Sequence, residues 1–163
     1  MTVQQKVQSQ IQGDIEPHKW MGLVLDHFAK AEQALGRLSV ALELPIANGS
    51  LSSLNEVRNR LQKVGTRKCK ALDKRIDRWS TNRHFRHLLA HATVTTLFDA
   101  MGQMVIVTRH LPRDEKDVTP DRLWTQEDQK ELLRQASNDS RSICDQVRNL
   151  TSDLTCLKTL KEA

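Results

Sequence analysis

The 163-residue chain has no tyrosine and only three phenylalanines and three tryptophans, so it lacks the aromatic platforms on which RRM and OB-type domains stack bases. Its three cysteines, Cys69, Cys144 and Cys156, are odd in number and scattered. The absence of any CxxC pair excludes the common zinc and dithiol-redox motifs and points to a reducing compartment. With six glycines and four prolines, the sequence is neither collagenous nor of low complexity. No stretch approaches the roughly 20 apolar residues of a membrane span, and MTVQQKVQSQIQGDIEP, residues 1–17, carries no apolar run of the signal-peptide kind. The phosphate-binding GxGxxG and GxxxxGK[ST] motifs and the GxSxG nucleophile motif are missing as well. The expectation is a cytoplasmic protein without a membrane segment, with a flexible tail over residues 1–17 and one domain over residues 18–163.

What is present is charge, unevenly spread. Of the formal net charge of +5, residues 1–50 contribute −1, residues 51–91 contribute +8 and residues 92–163 contribute −2. The basic tract runs from Arg58 to Arg86 and includes Arg67, Lys68, Lys70, Lys74, Arg75, Arg78 and Arg83. Those seven are candidate nucleic-acid contacts, because lysine and arginine displace counterions from phosphates. The plainer alternative is a solvated helix face that keeps the protein in solution. With so few aromatics, any nucleic acid here would be held mainly through its phosphates.

Hydrophobic spacing predicts four helices and a hairpin. Trp20, Val24, His27, Ala31, Leu38 and Leu42 recur at helical intervals between Pro17 and Pro45. Residues 46–50 read as a loop, and Ser53 with Glu56 as a capping box for a second helix. In that helix the stripe from Leu54 to Trp79 continues through Gly65, which is expected to bend it without ending it. Ser80 or Thr81 is expected to start a third, shorter helix burying Phe85, Leu88, Leu89 and Ala92. TVTTLF and QMVIVT then read as a β-hairpin with Gly102 near its turn. Residues 109–124 read as a loop up to a Thr125 cap with Asp128 in the reciprocal position, and a last helix runs from there almost to the end. The expected fold is all-α: an antiparallel four-helix bundle with a short β-hairpin inserted before the last helix. Trp20, Trp79 and Trp124 read as packing.

The segment FRHLLAHA, residues 85–92, carries the chemistry. Arg86 and His91 in it resemble the Arg-x4-His motif of the HEPN superfamily. The following TVTTLFDAMGQMVIVT and WTQEDQKELL occupy the places of the hairpin and the Thr-capped final helix in a common bacterial form of that family. The resemblance covers roughly residues 18–160. It implies a helical bundle that dimerises and, in the many catalytic members, cuts RNA without metal or other cofactor, with Arg86 and His91 as the catalytic pair. It also implies RNA, a second copy of the chain, or a protein such as an antitoxin as partners, in a toxin–antitoxin or defence setting. Two positions depart from the family pattern: His87 stands where asparagine is common, and Ala92 stands where glycine is frequent. The alternative within the family is a module that binds RNA or protein without cleaving.

Those residue types suit the reaction. A histidine titrating near neutrality can take or give the proton when a 2′-hydroxyl attacks the adjacent phosphorus, and an arginine offers a fixed positive fork as charge builds on the phosphate. On an ideal helix Arg86 and His91 lie about 140° apart, so a helix end or a second subunit must bring them together. His87 and His84 are auxiliary candidates. Two other uses of the histidines stay open. His84, His87 and His91 fall within about 60° of one another and could bind a metal from one face, although no HExxH glutamate accompanies them. Alternatively, they and Arg86 line a polar interface opposite Phe85, Leu88 and Leu89.

Overall fold

The computed structural model describes residues 16–45, 51–110 and 120–163. The expected tail lies outside the described residues as far as residue 15, as do residues 46–50 and 111–119 of the expected loops. Among the described residues are five helices and one three-stranded antiparallel sheet, so the chain is mainly helical. The helices are α1 (Pro17–Ala41), α2 (Leu54–Val64), α3 (Arg67–His91), α4 (Gln126–Ser152) and α5 (Leu154–Glu162). Strands β1 (Ala92–Phe98), β2 (Met104–His110) and β3 (Arg122–Trp124) fall between α3 and α4. No helix among the described residues is long and apolar enough to cross a membrane.

The helix ends follow from local chemistry, and several differ from expectation. α1 starts at Pro17 as its fixed φ favours and closes in a Schellman turn, with Leu44 N–H on Ser39 O at 3.0 Å and Glu43 N–H on Val40 O at 2.9 Å. Gly65 ends α2 instead of bending it. It sits in the left-handed region at φ 63°, and its N–H bonds Leu61 O. Thr66 then caps α3, its Oγ1 accepting from Cys69 N–H at 3.3 Å. No restart occurs at Ser80 or Thr81, because α3 runs unbroken to His91 and the Thr81 hydroxyl donates back to Asp77 O at 3.1 Å. The box expected of Ser53 and Glu56 does not form: Ser53 makes no capping bond and its hydroxyl donates to Pro45 O. The one expected of Thr125 and Asp128 does. Thr125 N–H meets Asp128 Oδ2 at 3.0 Å and Asp128 N–H meets Thr125 Oγ1 at 3.1 Å. The last helix is also two, since Asp153 interrupts it and caps α5 by accepting from Cys156 N–H.

An alanine at position 65 would have to hold φ at +63°, with its Cβ 3.4 Å from Gln62 O. Left-handed backbone costs a Cβ-bearing residue roughly 1–2 kcal/mol. Gly65→Ala is therefore expected to lower unfolding free energy by about 1 kcal/mol, read from the urea midpoint; an unchanged midpoint would count against this account of the α2 stop.

Contacts gather the chain into two compact units, one of Met1–Leu25 with His84–Gln135, the other of Asp26–Arg83 with Ala136–Ala163. In the first unit the expected hairpin is present, with Ala92 opposite His110 and Phe98 opposite Met104. Its turn is organised by Asp99, whose Oδ1 accepts the N–H groups of Met101 and Gln103 at 2.8 Å each, with Gly102 at φ 75°. The third strand was not expected. It pairs with β2 so that Trp124 lies opposite Ile106, and pleating puts Met104, Ile106, Thr108, His110 and Trp124 on one buried face. Trp20 completes that core, its ring 5.3 Å from Trp124 and its Nε1–H donating to Gln129 O at 2.9 Å.

The second unit buries Ala31, Leu35, Leu38, Val57, Leu61, Leu72, Ile76, Ile143, Val147 and Leu160. Phe28, and not His27, fills the α1 stripe there, its ring 6.3 Å from Trp79. His27 sits at the margin, where partial burial, and after it Lys30, pulls its imidazole below the ordinary histidine range.

Candidate active site

Residues 85–91 of the FRHLLAHA segment form the last turns of α3 in the first unit; His91 is the helix's final residue, and Ala92, expected on the helix's buried stripe, instead opens β1. Leu88 and Leu89 are buried and Phe85 half-buried, which leaves His87 and His91 exposed on the opposite side. These two stand one helical turn apart, about 40° round the axis, with their ring centroids 4.7 Å from each other. Arg86 is half-buried. His84 goes elsewhere, its ring lying against Phe85 with centroids 3.7 Å apart. Among the described residues no group of three or more His, Cys, Asp or Glu side chains is placed to hold a metal ion, so the metal face considered for His84, His87 and His91 is not assembled.

Two residues of this region were not picked out from the sequence. His110, the last residue of β2, is buried at 7% exposure with its ring 6.0 Å from that of His87. The register explains its place, because its cross-strand partner Ala92 directly follows His91. Arg122 of β3 lays its guanidinium 4.4 Å from the Phe85 ring centre and 4.2 Å from that of Trp124, and its Nε is buried without a hydrogen-bond partner. The ring faces stand in for an anion there. Register parity within QMVIVTRH is the one signal that could have marked His110 as inward-facing. Nothing local marks Arg122, since its strand is three residues long.

The basic tract divides. All seven candidate contacts lie on α3 in the second unit. Arg75 bonds the buried Asp139 at 2.8 Å, and Arg78 approaches the same carboxylate at 3.7 Å. Arg83 pairs with Glu32 at 3.7 Å and stands 5.9 Å over Trp79. Lys68 pairs with Asp153 at 2.8 Å. Arg67, Lys70 and Lys74 are exposed and form no ion pair among the described residues. On an ideal helix these three fall within about 60° of one another. The structure thus separates an arginine set that neutralises internal carboxylates from a stripe that faces solvent, a division the spacing alone did not disclose.

Set against known proteins, the chain matches no family model, no curated protein and no solved structure.

Proposed function

We propose that the chain is a HEPN-like, metal-independent endoribonuclease, an antiparallel four-helix bundle acting as a homodimer, with Arg86 and His91 as its reactive groups. The observation that most supports this reading is the solvent-facing end of α3, where His91 has a second imidazole, His87, 4.7 Å away. Cleavage within an RNA strand needs one group to remove the 2′-hydroxyl proton and another to protonate the departing 5′-oxygen. Two neighbouring exposed imidazoles can divide that task, one acting as base and the other as acid. Arg86 stabilises the added negative charge on the phosphate. The products are a 2′,3′-cyclic phosphate and a 5′-hydroxyl. Arg67, Lys70 and Lys74 supply an exposed cationic stripe for the strand's phosphates.

The test is incubation of the purified chain with mixed cellular RNA in excess EDTA, beside Arg86→Ala and His91→Ala, reading fragments and their 3′ ends. Each variant is expected to lose at least about a hundredfold in cleavage. His91→Ala should keep the parent's far-ultraviolet circular dichroism, since the side chain is exposed. Cleavage by His91→Ala at the parent's rate would overturn the assignment. Silence from all three proteins would leave the non-cleaving RNA- or protein-binding module as the better account.

A further inference from the structure

Two of the three free cysteines, far apart in the sequence, meet in space. Cys69 and Cys156 both belong to the second unit, and each is the third residue of a helix, α3 and α5 respectively. Their backbones are fixed by the helix caps: Cys69 N–H bonds the Thr66 hydroxyl at 3.3 Å, and Cys156 N–H bonds Asp153 Oδ1 at 3.1 Å. Lys68 Nζ reaches Asp153 Oδ2 at 2.8 Å and so clasps the two helix starts together. With the caps side by side, the thiols adjoin, and Cys69 is the hydrogen-bonding neighbour of the Cys156 thiol. Cys144 stands apart on α4, its thiol donating to Lys30 O at 3.7 Å.

The two sulfurs differ in access. Cys69 is fully buried, whereas Cys156 is half-buried and lines a groove of about 360 Å³ with Val64, Arg67, Lys68, Asp153 and Thr159. A small oxidant entering that groove meets Cys156 first, with Cys69 directly behind it. We propose that Cys69 and Cys156 are a redox pair, a disulfide that a peroxide closes and a small thiol reopens. In the first step the Cys156 thiolate attacks peroxide; an S–O bond forms, the O–O bond breaks, and hydroxide leaves Cys156 as a sulfenic acid. The Cys69 sulfur then attacks that of Cys156; the S–S bond forms, the S–O bond breaks, and the Cys69 proton leaves with the hydroxide as water. Each sulfur gives up one electron, and one peroxide is reduced to two waters. The bond would tie the start of α3 to α5, a helix of nine residues that is too short to persist by itself. The pair shares no residue with Arg86 and His91, so it is independent of RNA cleavage.

Burial, and after it the adjoining Cys69 thiol, pushes the Cys156 thiol up; Asp153 adds to this and Lys68 opposes it. Oxidation should therefore quicken about tenfold per pH unit between pH 7 and 8, as the thiolate fraction does. The experiment treats the parent chain and Cys144→Ser with excess hydrogen peroxide and reads intact mass, free thiols and linked peptides. Cys144→Ser is expected to lose about 2 Da, two hydrogens, in a single chain, with one peptide pair joining Cys69 to Cys156. Reduced glutathione should restore both thiols. The oxidised chain should melt about 5 °C or more above the reduced one. Cys156→Ser should form no intrachain bond while keeping the parent's far-ultraviolet circular dichroism, since the side chain is half-buried. The proposal is overturned if Cys156 stops at a sulfenic or sulfinic acid beside a free Cys69, if the disulfide joins two chains, or if both thiols survive peroxide that oxidises Cys144 in the parent.

Discussion

Trp124→Ala is expected to remove about 3–5 kcal/mol of stability, the usual cost of deleting a large buried aromatic ring. For a chain of this size that corresponds to a fall of roughly 8–16 °C in Tm. The side chain is 1% exposed and stands where three elements meet. Its ring packs against Trp20 at 5.3 Å and Phe85 at 5.2 Å, and the Arg122 guanidinium lies 4.2 Å from its centre. Its Nε1–H donates to Thr108 Oγ1 at 3.0 Å, and its backbone carbonyl accepts from Gln129 Nε2 at 3.2 Å. Truncation leaves a cavity, strips the buried Thr108 of its donor and uncovers one face of a guanidinium whose Nε has no other partner. Trp124→Phe separates these contributions. It keeps one ring for the aromatic contacts but loses the indole bond and part of the buried ring volume, so about 2 kcal/mol should go. Thermal and urea unfolding of both variants measure this, and a Trp124→Ala protein within 1 kcal/mol of the parent would refute the central role of the strand that presents it.

Asp139→Ala is expected to cost about 3 kcal/mol. The carboxylate is 1% exposed at its side chain and takes a 2.8 Å bond from Arg75 Nη1, with Arg78 Nε at 3.7 Å. Removing one member of a buried pair typically costs 3–5 kcal/mol, because the remaining charge stays desolvated. The low end applies here, since Arg75 is 29% exposed and can turn partly to water. The double variant Asp139→Ala with Arg75→Met should recover part of the loss, as no unpaired charge is then left inside. Urea midpoints of the three proteins give the coupling. If Asp139→Ala costs less than about 0.5 kcal/mol, Arg75 belongs to a solvated face after all.

Arg75 also illustrates why function was harder to read from the sequence than helix content. Seven cations in a row on one helix look alike until their partners are known. Asp139 lies 64 residues away from Arg75, and no local pattern links them. Gly65 and Ser80 make the same point for boundaries. Glycine in a left-handed turn stops a helix where an unbroken apolar stripe suggested continuation, whereas a threonine bonding back to its own turn lets α3 pass straight through the expected break. Two capping signals of the same form, Ser53 with Glu56 and Thr125 with Asp128, had opposite outcomes. The Ser53 hydroxyl is taken by Pro45 O eight residues upstream, while Thr125 has no such competitor among its bonds.

By itself the sequence determined whatever depends on neighbours a few residues apart. That includes the start of α1 at Pro17, the Thr125 cap, the hairpin turning through Asp99 and Gly102, the mainly helical character, and the Arg86-to-His91 string at a helix end. These follow from backbone chemistry and from the periods of 3.6 and 2 that bury one face of a helix or strand. Tertiary structure alone decided the rest: which arginines are neutralised, that β3 joins the sheet, and that His110 and Arg122 belong beside the FRHLLAHA turn. The physical reason is common to all of them. A charge or a ring settles against whatever satisfies it in space, and that partner is fixed by register and packing over distances along the chain that no local pattern spans.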